Sequence, residues 1–431
     1  MNYEMRLSIQ HSTFSIQHSA FRTPRPALVG EKSAFAWKFR ALALHLYFVL
    51  FFLSPLSSLR GFPIMPFDQG SITFRICRLP ESMPENTIER FAEFAAQPLA
   101  NVTDEPCWGW VSPRHLLDDV IDETTIKVGA FYHLCLRQAE RKIPASLLTA
   151  ECRMIELARM AETGSEKLGN RARRSIKAEV QQRLLPQMPP QLSGIYFAID
   201  TLENMLYTTA ISPRQLEIFL AHFGKVIGFE PMPLTPENIA EELFELDPAA
   251  VPALNISPDP KRNLLEGAGT LGENFLTWLW FFQEERGGNL PPTKLGDFSL
   301  LIDGPLVFVA EGPGAFESAI RKGAPTLSAE AKASLTVGKK LKRAKLTLAR
   351  GDEEWSFNFD ANEFIFRSLK LPESEALDKA SLFEDRMNNL IILQNVLFAL
   401  FQRFLKEMTD SAKASDYQAK AREWIKNFNG L

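Results

Sequence analysis

Cations gather in two places in this chain, and both spacings suit the binding of a polyanion. In the first, Arg321-Lys322-Gly323 precedes a short segment, Leu327-Ser328-Ala329-Glu330-Ala331-Lys332-Ala333-Ser334-Leu335. Lys339, Lys340, Lys342 and Arg343 follow it within five positions. In the second, Arg171, Arg173, Arg174, Lys177 and Arg183 fall within thirteen positions and meet only Glu179. Clustered ammonium and guanidinium groups release counterions from a phosphate backbone, and that release drives binding without base readout. The plainer account of each cluster is a solvated strand end or helix face.

Other chemistry has thinner support. Gly267-Ala268-Gly269-Thr270-Leu271-Gly272 matches the dinucleotide-binding glycine pattern, but Asp259-Pro260-Lys261-Arg262-Asn263-Leu264-Leu265 ahead of it is not the strand that pattern requires. Neither a phosphate-binding GxxxxGK[ST] loop nor a GxSxG nucleophile turn occurs. Outside the first 64 residues, the histidines are His115, His133 and His222, without metal-ligand spacing. Asp118-Asp119 and Asp122-Glu123 could in principle hold Mg²⁺, but a solvated acidic turn is the better account of them. These residues commit the chain to no catalysis and imply no cofactor.

Several elements must position the cations. The segment after Gly323 reads as a short helix, capped by Thr326 or Ser328 and stopped by Gly338. Strict alternation then sets Ala344, Leu346 and Leu348 opposite Lys345 and Thr347. After Gly351-Asp352, Trp355, Phe357 and Phe359 alternate with polar residues, and Phe364-Ile365-Phe366 follows, so a helix feeds a β-meander. The second cluster sits on the latter arm of a helical hairpin, with helices expected over 145–160 and 172–185 and Gly164 and Gly169 between them. Strands are expected at 72–76, 128–136 and 226–232, with hairpins over 195–209 and around Asp303-Gly304. Helices are expected over 84–94, 213–223 and 384–408. In the last of these, Leu390, Leu393, Leu397, Leu400 and Phe404 form an apolar stripe. The fold class is α+β, with antiparallel strands, flanking helices and a protruding helical hairpin. Its expected regions are 65–235, a connecting stretch at 236–272, and 273–431.

The 431 residues are 45% hydrophobic and 23% charged, ordinary for a globular chain. Residues 1–64 differ from the rest. Ser8-Ile9-Gln10-His11-Ser12-Thr13-Phe14 recurs almost unchanged as Ser15-Ile16-Gln17-His18-Ser19-Ala20-Phe21, and residues 41–53 form one apolar run. The expectation is an atypical leader outside the fold, with synthesis starting at Met65; a signal or membrane anchor is the alternative. With seven Lys and Arg against two Asp and Glu, the leader carries +5, which leaves −9 of the whole-chain −4 for the body. An acidic body that grips phosphates must concentrate its cations on one surface. Cys77, Cys107, Cys135 and Cys152 have no CxxC spacing and read as reduced thiols.

Several strings occur in the order of one family: Gly109-Trp110-Val111-Ser112-Pro113, Lys142-Ile143-Pro144, Lys177 followed by Leu184-Leu185-Pro186, Phe197-Ala198-Ile199-Asp200, Phe275-Leu276-Thr277-Trp278, and Leu327-Ser328-Ala329-Glu330 leading to Gly338-Lys339. Over residues 67–405 the chain resembles the RdgC family of bacterial recombination-associated proteins. After Leu184-Leu185-Pro186, where the family usually has an aromatic, this chain has Gln187-Met188-Pro189-Pro190. The resemblance implies a ring-shaped homodimer that encircles duplex DNA without sequence specificity and antagonises RecA-type filaments. It implies a cytoplasmic, nucleoid-associated protein that is not an enzyme and takes no small-molecule substrate. An acidic exterior around a cationic lumen would reconcile −9 with phosphate binding. Arg321, Lys322, Lys339, Lys340, Lys342 and Arg343 are the expected contacts, extended by Arg171, Arg173, Arg174 and Lys177. The rival expectations are a metal-dependent nuclease using the acidic cluster and a membrane-tethered protein anchored by residues 41–53.

Overall fold

The structure, a computed structural model, describes residues 66–258, 269–310 and 317–427. The duplicated heptapeptide, the apolar run at 41–53 and Gly267-Ala268 lie outside them. The described residues make up one compact unit.

In chain order the elements are β1 (Ile72–Arg78), α1 (Thr87–Glu93), β2 (Cys107–Val111), α2 (Glu123–Ile126), β3 (Lys127–Val128), β4 (Phe131–Arg141), α3 (Ala145–Thr163), α4 (Asn170–Leu184), β5 (Pro190–Asp200), β6 (Met205–Thr208), α5 (Pro213–Ile227), β7 (Met232–Pro233) and α6 (Pro236–Phe244). There follow α7 (Leu271–Glu285), β8 (Ser299–Val309), β9 (Ser318–Ile320), α8 (Ala329–Thr336), β10 (Lys340–Arg350), β11 (Glu353–Asp360), β12 (Ile365–Lys370), α9 (Lys379–Thr409) and α10 (Ser411–Asn427). The α+β class holds, with the twelve strands among the described residues in one antiparallel sheet. Its order is β2-β4-β5-β6-β1-β12-β11-β10-β8-β9, with β3 on β4 and β7 on β1. The seam is β1, which pairs with β6 on one side and with β12, almost three hundred residues later, on the other.

The two faces of the sheet differ. One is apolar from end to end: Phe74, Tyr207, Leu346, Phe357 and Phe366 pack with α7 and α9 in the larger core. Two side-chain bonds join the sheet to α9, and a third joins α10 to α7. Trp355 Nε1 donates to the Asn389 carbonyl at 3.0 Å, Tyr207 Oη to Gln394 Oε1 at 2.8 Å, and Tyr417 Oη to the Trp278 carbonyl at 2.5 Å. The other face has an apolar core only over β1, β2 and β4–β6, where Trp110, Phe197 and Leu206 meet Phe91 of α1 and Phe219 and Phe223 of α5. Over β10–β12 that second face is mostly polar, with Ile365 buried in it.

Several expectations are corrected. The strand expected at 226–232 is the end of α5, which Gly228 stops in the left-handed region at φ 105°; only Met232–Pro233 is extended. The strand expected at 128–136 divides at Gly129, φ 57°, into β3 and β4, a tight hairpin. The strand pair around Asp303-Gly304 is a single strand, β8, whose register against β10 shifts there. Helices α7 and α10 are not expected from the sequence. In α7, residues 271–283 are all buried, so no polar face marks it as a helix in the sequence. The hairpin arms lie as expected, over Ala145–Thr163 and Asn170–Leu184, and α9 begins five residues earlier than expected, after an Asp378 cap.

Candidate nucleic-acid interface

The short helix before the lysine run is α8, capped by the Ser328 hydroxyl and ended just before Gly338 at φ 87°. It delivers Lys339 and Lys340 to the start of β10. Lys339 Nζ donates to Ser318 Oγ on edge strand β9, three residues before the exposed pair Arg321-Lys322. Those three cations therefore share the β9 edge. Lys340 turns toward α7, where its ammonium donates to Asn274 Oδ1 at 2.5 Å beside Gly269. Lys342 sits in the bulge that shifts β10 against β8, so its neighbours Leu341 and Ala344 both remain buried. Beyond the bulge, Arg343, Lys345 and Thr347 alternate with Ala344, Leu346 and Leu348 and fall on the polar face.

That face holds cations that sequence spacing does not single out. Lys345 stands opposite Asn358 of β11 and Asp303 of β8; Arg367 of β12 stands opposite Asn358, and Lys370 opposite Ser356. Arg75 of β1 is in the same layer, 4% exposed, and donates to Glu363 Oε2 at 2.9 Å. Arg343 donates through Nε to Asp360 Oδ2 at 2.7 Å. Alternation alone places Lys345 opposite the core; Arg75 and Arg367 join it only through the β1–β12–β11 pairing.

The hairpin cluster is separate. Arg171, Arg174 and Lys177 are exposed on α4. Across the hairpin, Arg173 faces Glu156 at 3.9 Å, Arg183 meets Glu151 at 2.5 Å, and Glu179 meets Arg159 at 2.7 Å. The first arm thus supplies acids that the second lacks. Strands β4 and β5 carry the hairpin, and four strands separate β5 from β10. At ~4.8 Å per strand step the two clusters stand roughly 24 Å apart or more.

The rival chemistry is dispersed. Asp118 accepts from Ser112 Oγ, and Asp122 caps α2. The Thr124 hydroxyl, with the Thr125 and Thr124 amides, holds the Asp122 carboxyl below its ordinary range. His115 Nδ1 accepts from the Leu117 amide, and His222 Nδ1 sits 2.8 Å from the Ile218 carbonyl. Among the described residues no group of three His, Cys, Asp or Glu is placed to hold a metal ion. Thr270 and Glu273 form the capping box of α7, and a Cβ on Gly272 would come within 2.2 Å of the Ala361 carbonyl oxygen. Gly272 therefore serves helix–strand contact.

Residues 72–244 match the sequence model of a family described as "Putative exonuclease, RdgC". Over that stretch, less than half of the chain, the sequence is similar to the RdgC family. Two relatives fix the scale of the likeness. The recombination-associated protein RdgC of Pseudoalteromonas atlantica is 32% identical over 160 residues, 37% of this chain and 51% of the relative. That of Yersinia enterocolitica is 26% identical over 171 residues, 39% of this chain and 55% of the relative. The chain spans about half the length of the curated RdgC proteins it matches. The family match takes in β1 to α6, hence the hairpin cluster and Arg75; the cations of β10 and β12 lie beyond it. Among the described residues, no helix is long and apolar enough to cross a membrane.

Proposed function

We propose that this chain binds double-stranded DNA through its phosphates, without reading base sequence, and acts in recombination as its RdgC relatives are named for doing. The observation that carries the reading is the polar half-face of the sheet, where Arg343, Lys345, Arg367 and Lys370 gather on strands whose opposite face is apolar. An acidic body with cations collected on one face suits a ligand that is uniformly anionic along its length. Side chains arrayed on a flat strand surface reach backbone oxygens more readily than base edges, which favours binding without specificity. The β9 edge extends the surface through Arg321, Lys322 and Lys339, next to Lys342 at the bulge. Lys340, engaged by Asn274, contributes charge rather than reach. The hairpin residues Arg171, Arg173, Arg174 and Lys177 form a second, distant track. A homodimer closed into a ring would bring such tracks together around one duplex and obstruct a RecA-type filament on it. In this reading the protein works at the cytoplasmic nucleoid.

The test is a salt-dependent gel shift of the full chain with linear and closed circular duplexes of unrelated sequence. Affinity should fall steeply with salt and hardly vary with sequence. Replacing Lys345 and Lys370 by Gln should lower the log–log slope by ~0.9 for each phosphate that is no longer neutralised. The word exonuclease in the family description favours one second reading, a nuclease. DNA shortened from its ends on incubation with Mg²⁺ would support it over simple binding.

A further inference from the structure

Asp360 is the buried centre of the polar half-face. Its side chain is 4% exposed, and Arg343 Nε donates to Oδ2 at 2.7 Å. Arg367 Nη2 stands 3.8 Å from the same oxygen, close enough for ion pairing and too far for a hydrogen bond. Strand register explains the convergence. Arg343 lies directly opposite Asp360, and Arg367 lies opposite Asn358, so it reaches Asp360 along the diagonal. Two guanidiniums, 40% and 37% exposed, thus lean on one carboxylate from the strands either side of it.

The group is incompletely satisfied. Asp360 Oδ1, Arg367 Nε, Asn358 Oδ1 and Arg75 Nε are all buried without a hydrogen-bond partner in the protein. A guanidinium has five N–H donors, and the Asp360 carboxylate engages one of Arg343's. One carboxylate between two guanidiniums also leaves a net positive charge. The outward edges of a paired Arg fork match the oxygens of a tetrahedral oxyanion, and such contacts are the strong, charge-assisted kind.

We infer that Asp360 is a positioning residue that holds Arg343 and Arg367 as a fork for one backbone phosphate. The inference rests on the DNA-binding reading above. It separates geometry from net charge: Asp360→Asn adds one positive charge to the face, which by itself would tighten DNA binding, while freeing the arginines to drift apart. The experiment is fluorescence anisotropy of a labelled mixed-sequence duplex with the full chain over a KCl series. For Asp360→Asn the expected result is about tenfold weaker binding, equivalent to one charge-assisted hydrogen bond fewer, with the log–log salt slope lower by ~0.9. Tighter or unchanged binding overturns the inference. If circular dichroism shows Asp360→Asn unfolded, Arg343→Lys decides, because it keeps the charge and removes the fork; it should weaken binding similarly, and an unchanged affinity overturns the inference. Wild-type chain that binds no duplex at all would reject the DNA reading instead. Isothermal titration with inorganic tripolyphosphate then tests the fork alone. Heat seen with wild type and abolished in Arg343→Lys upholds it, and its absence in wild type overturns it.

Discussion

Half-buried Asp68 faces buried His133 where the first described residues meet β4 and α9. His133 Nδ1 is 3.5 Å from Asp68 Oδ1, and the imidazole stacks on Phe383 at 4.8 Å. Burial lifts the Asp68 carboxyl to about 6, against the opposing pull of Arg386 and Lys379, and it depresses His133 to about 3. The two have opposite consequences for stability. An unfolded histidine takes a proton below its ordinary 6.5 while folded His133 does not, so His133 removes stability as pH falls from 6.5 toward 3. Folded Asp68 holds its proton up to about 6 where the unfolded carboxyl releases it above 3.8, so Asp68 restores stability as pH falls from 6 toward 4. The histidine slope is at most ~1.4 kcal/mol per pH unit. The Asp68 contribution is smaller, because its side chain is 41% exposed and solvent screens it. Asp68→Asn should therefore steepen the loss of stability between pH 6 and 4, read from urea midpoints; parallel curves would show that folding does not raise the Asp68 carboxyl. Packing at single atoms matters as much. Gly272→Ala would drive a Cβ onto the Ala361 backbone. It should cost ~1–3 kcal/mol or more in denaturant unfolding, whereas a change under half a kcal/mol would mean that α7 can shift.

At the scale of elements, α9 and the α3–α4 hairpin are opposites. Helix α9 runs 31 residues, and Leu390, Leu393, Leu397, Leu400 and Phe404 of its stripe are all buried against the sheet and α7. Leu397 is 1% exposed, so Leu397→Ala should cost ~2–5 kcal/mol. Equilibrium urea unfolding measures it, and a cost below ~0.5 kcal/mol would mark a site that closes over the cavity. The hairpin buries little. No residue of α3 is fully buried, and Ile176, Val180 and Leu184 of α4 form a small core of their own. Amide exchange in the hairpin should accordingly be much faster than in β4 and β5, which carry it. Equal protection would indicate a partner surface over the helices.

For the whole molecule, the consequential contact is β1 with β12. Phe74 stacks on Phe366 at 4.8 Å across that seam, and both belong to the larger core. Strands from residues 65–235 and from residues 273–431 thus share a sheet and a core. Far-UV circular dichroism and tryptophan fluorescence should report one coincident unfolding transition, because Trp108 and Trp110 lie on one side of the seam and Trp278, Trp280 and Trp355 on the other. Two separated transitions would mean that the halves fold independently.

By itself the sequence determined the elements whose periodicity is local and one-sided. The hairpin arms are bounded by Pro144, the Gly164–Gly169 stretch and Pro186. The β10–β11 meander alternates strictly, and α9 repeats its leucines at three and four. Each pattern exists because one side meets a core and the other does not, and that contrast is written within a few residues. Tertiary structure alone decided the rest. Helix α7 is buried all round, so it has no polar side to reveal its period. The short β7, the single strand β8 and the end of α5 turn on a glycine or a register shift, which apolar runs do not encode. The polar cluster of Arg75, Asp360, Arg343 and Arg367 comes from four strands, the first nearly three hundred residues before the last. Strand pairing over such a separation depends on which faces of distant segments find a common core, and no spacing within either segment specifies it.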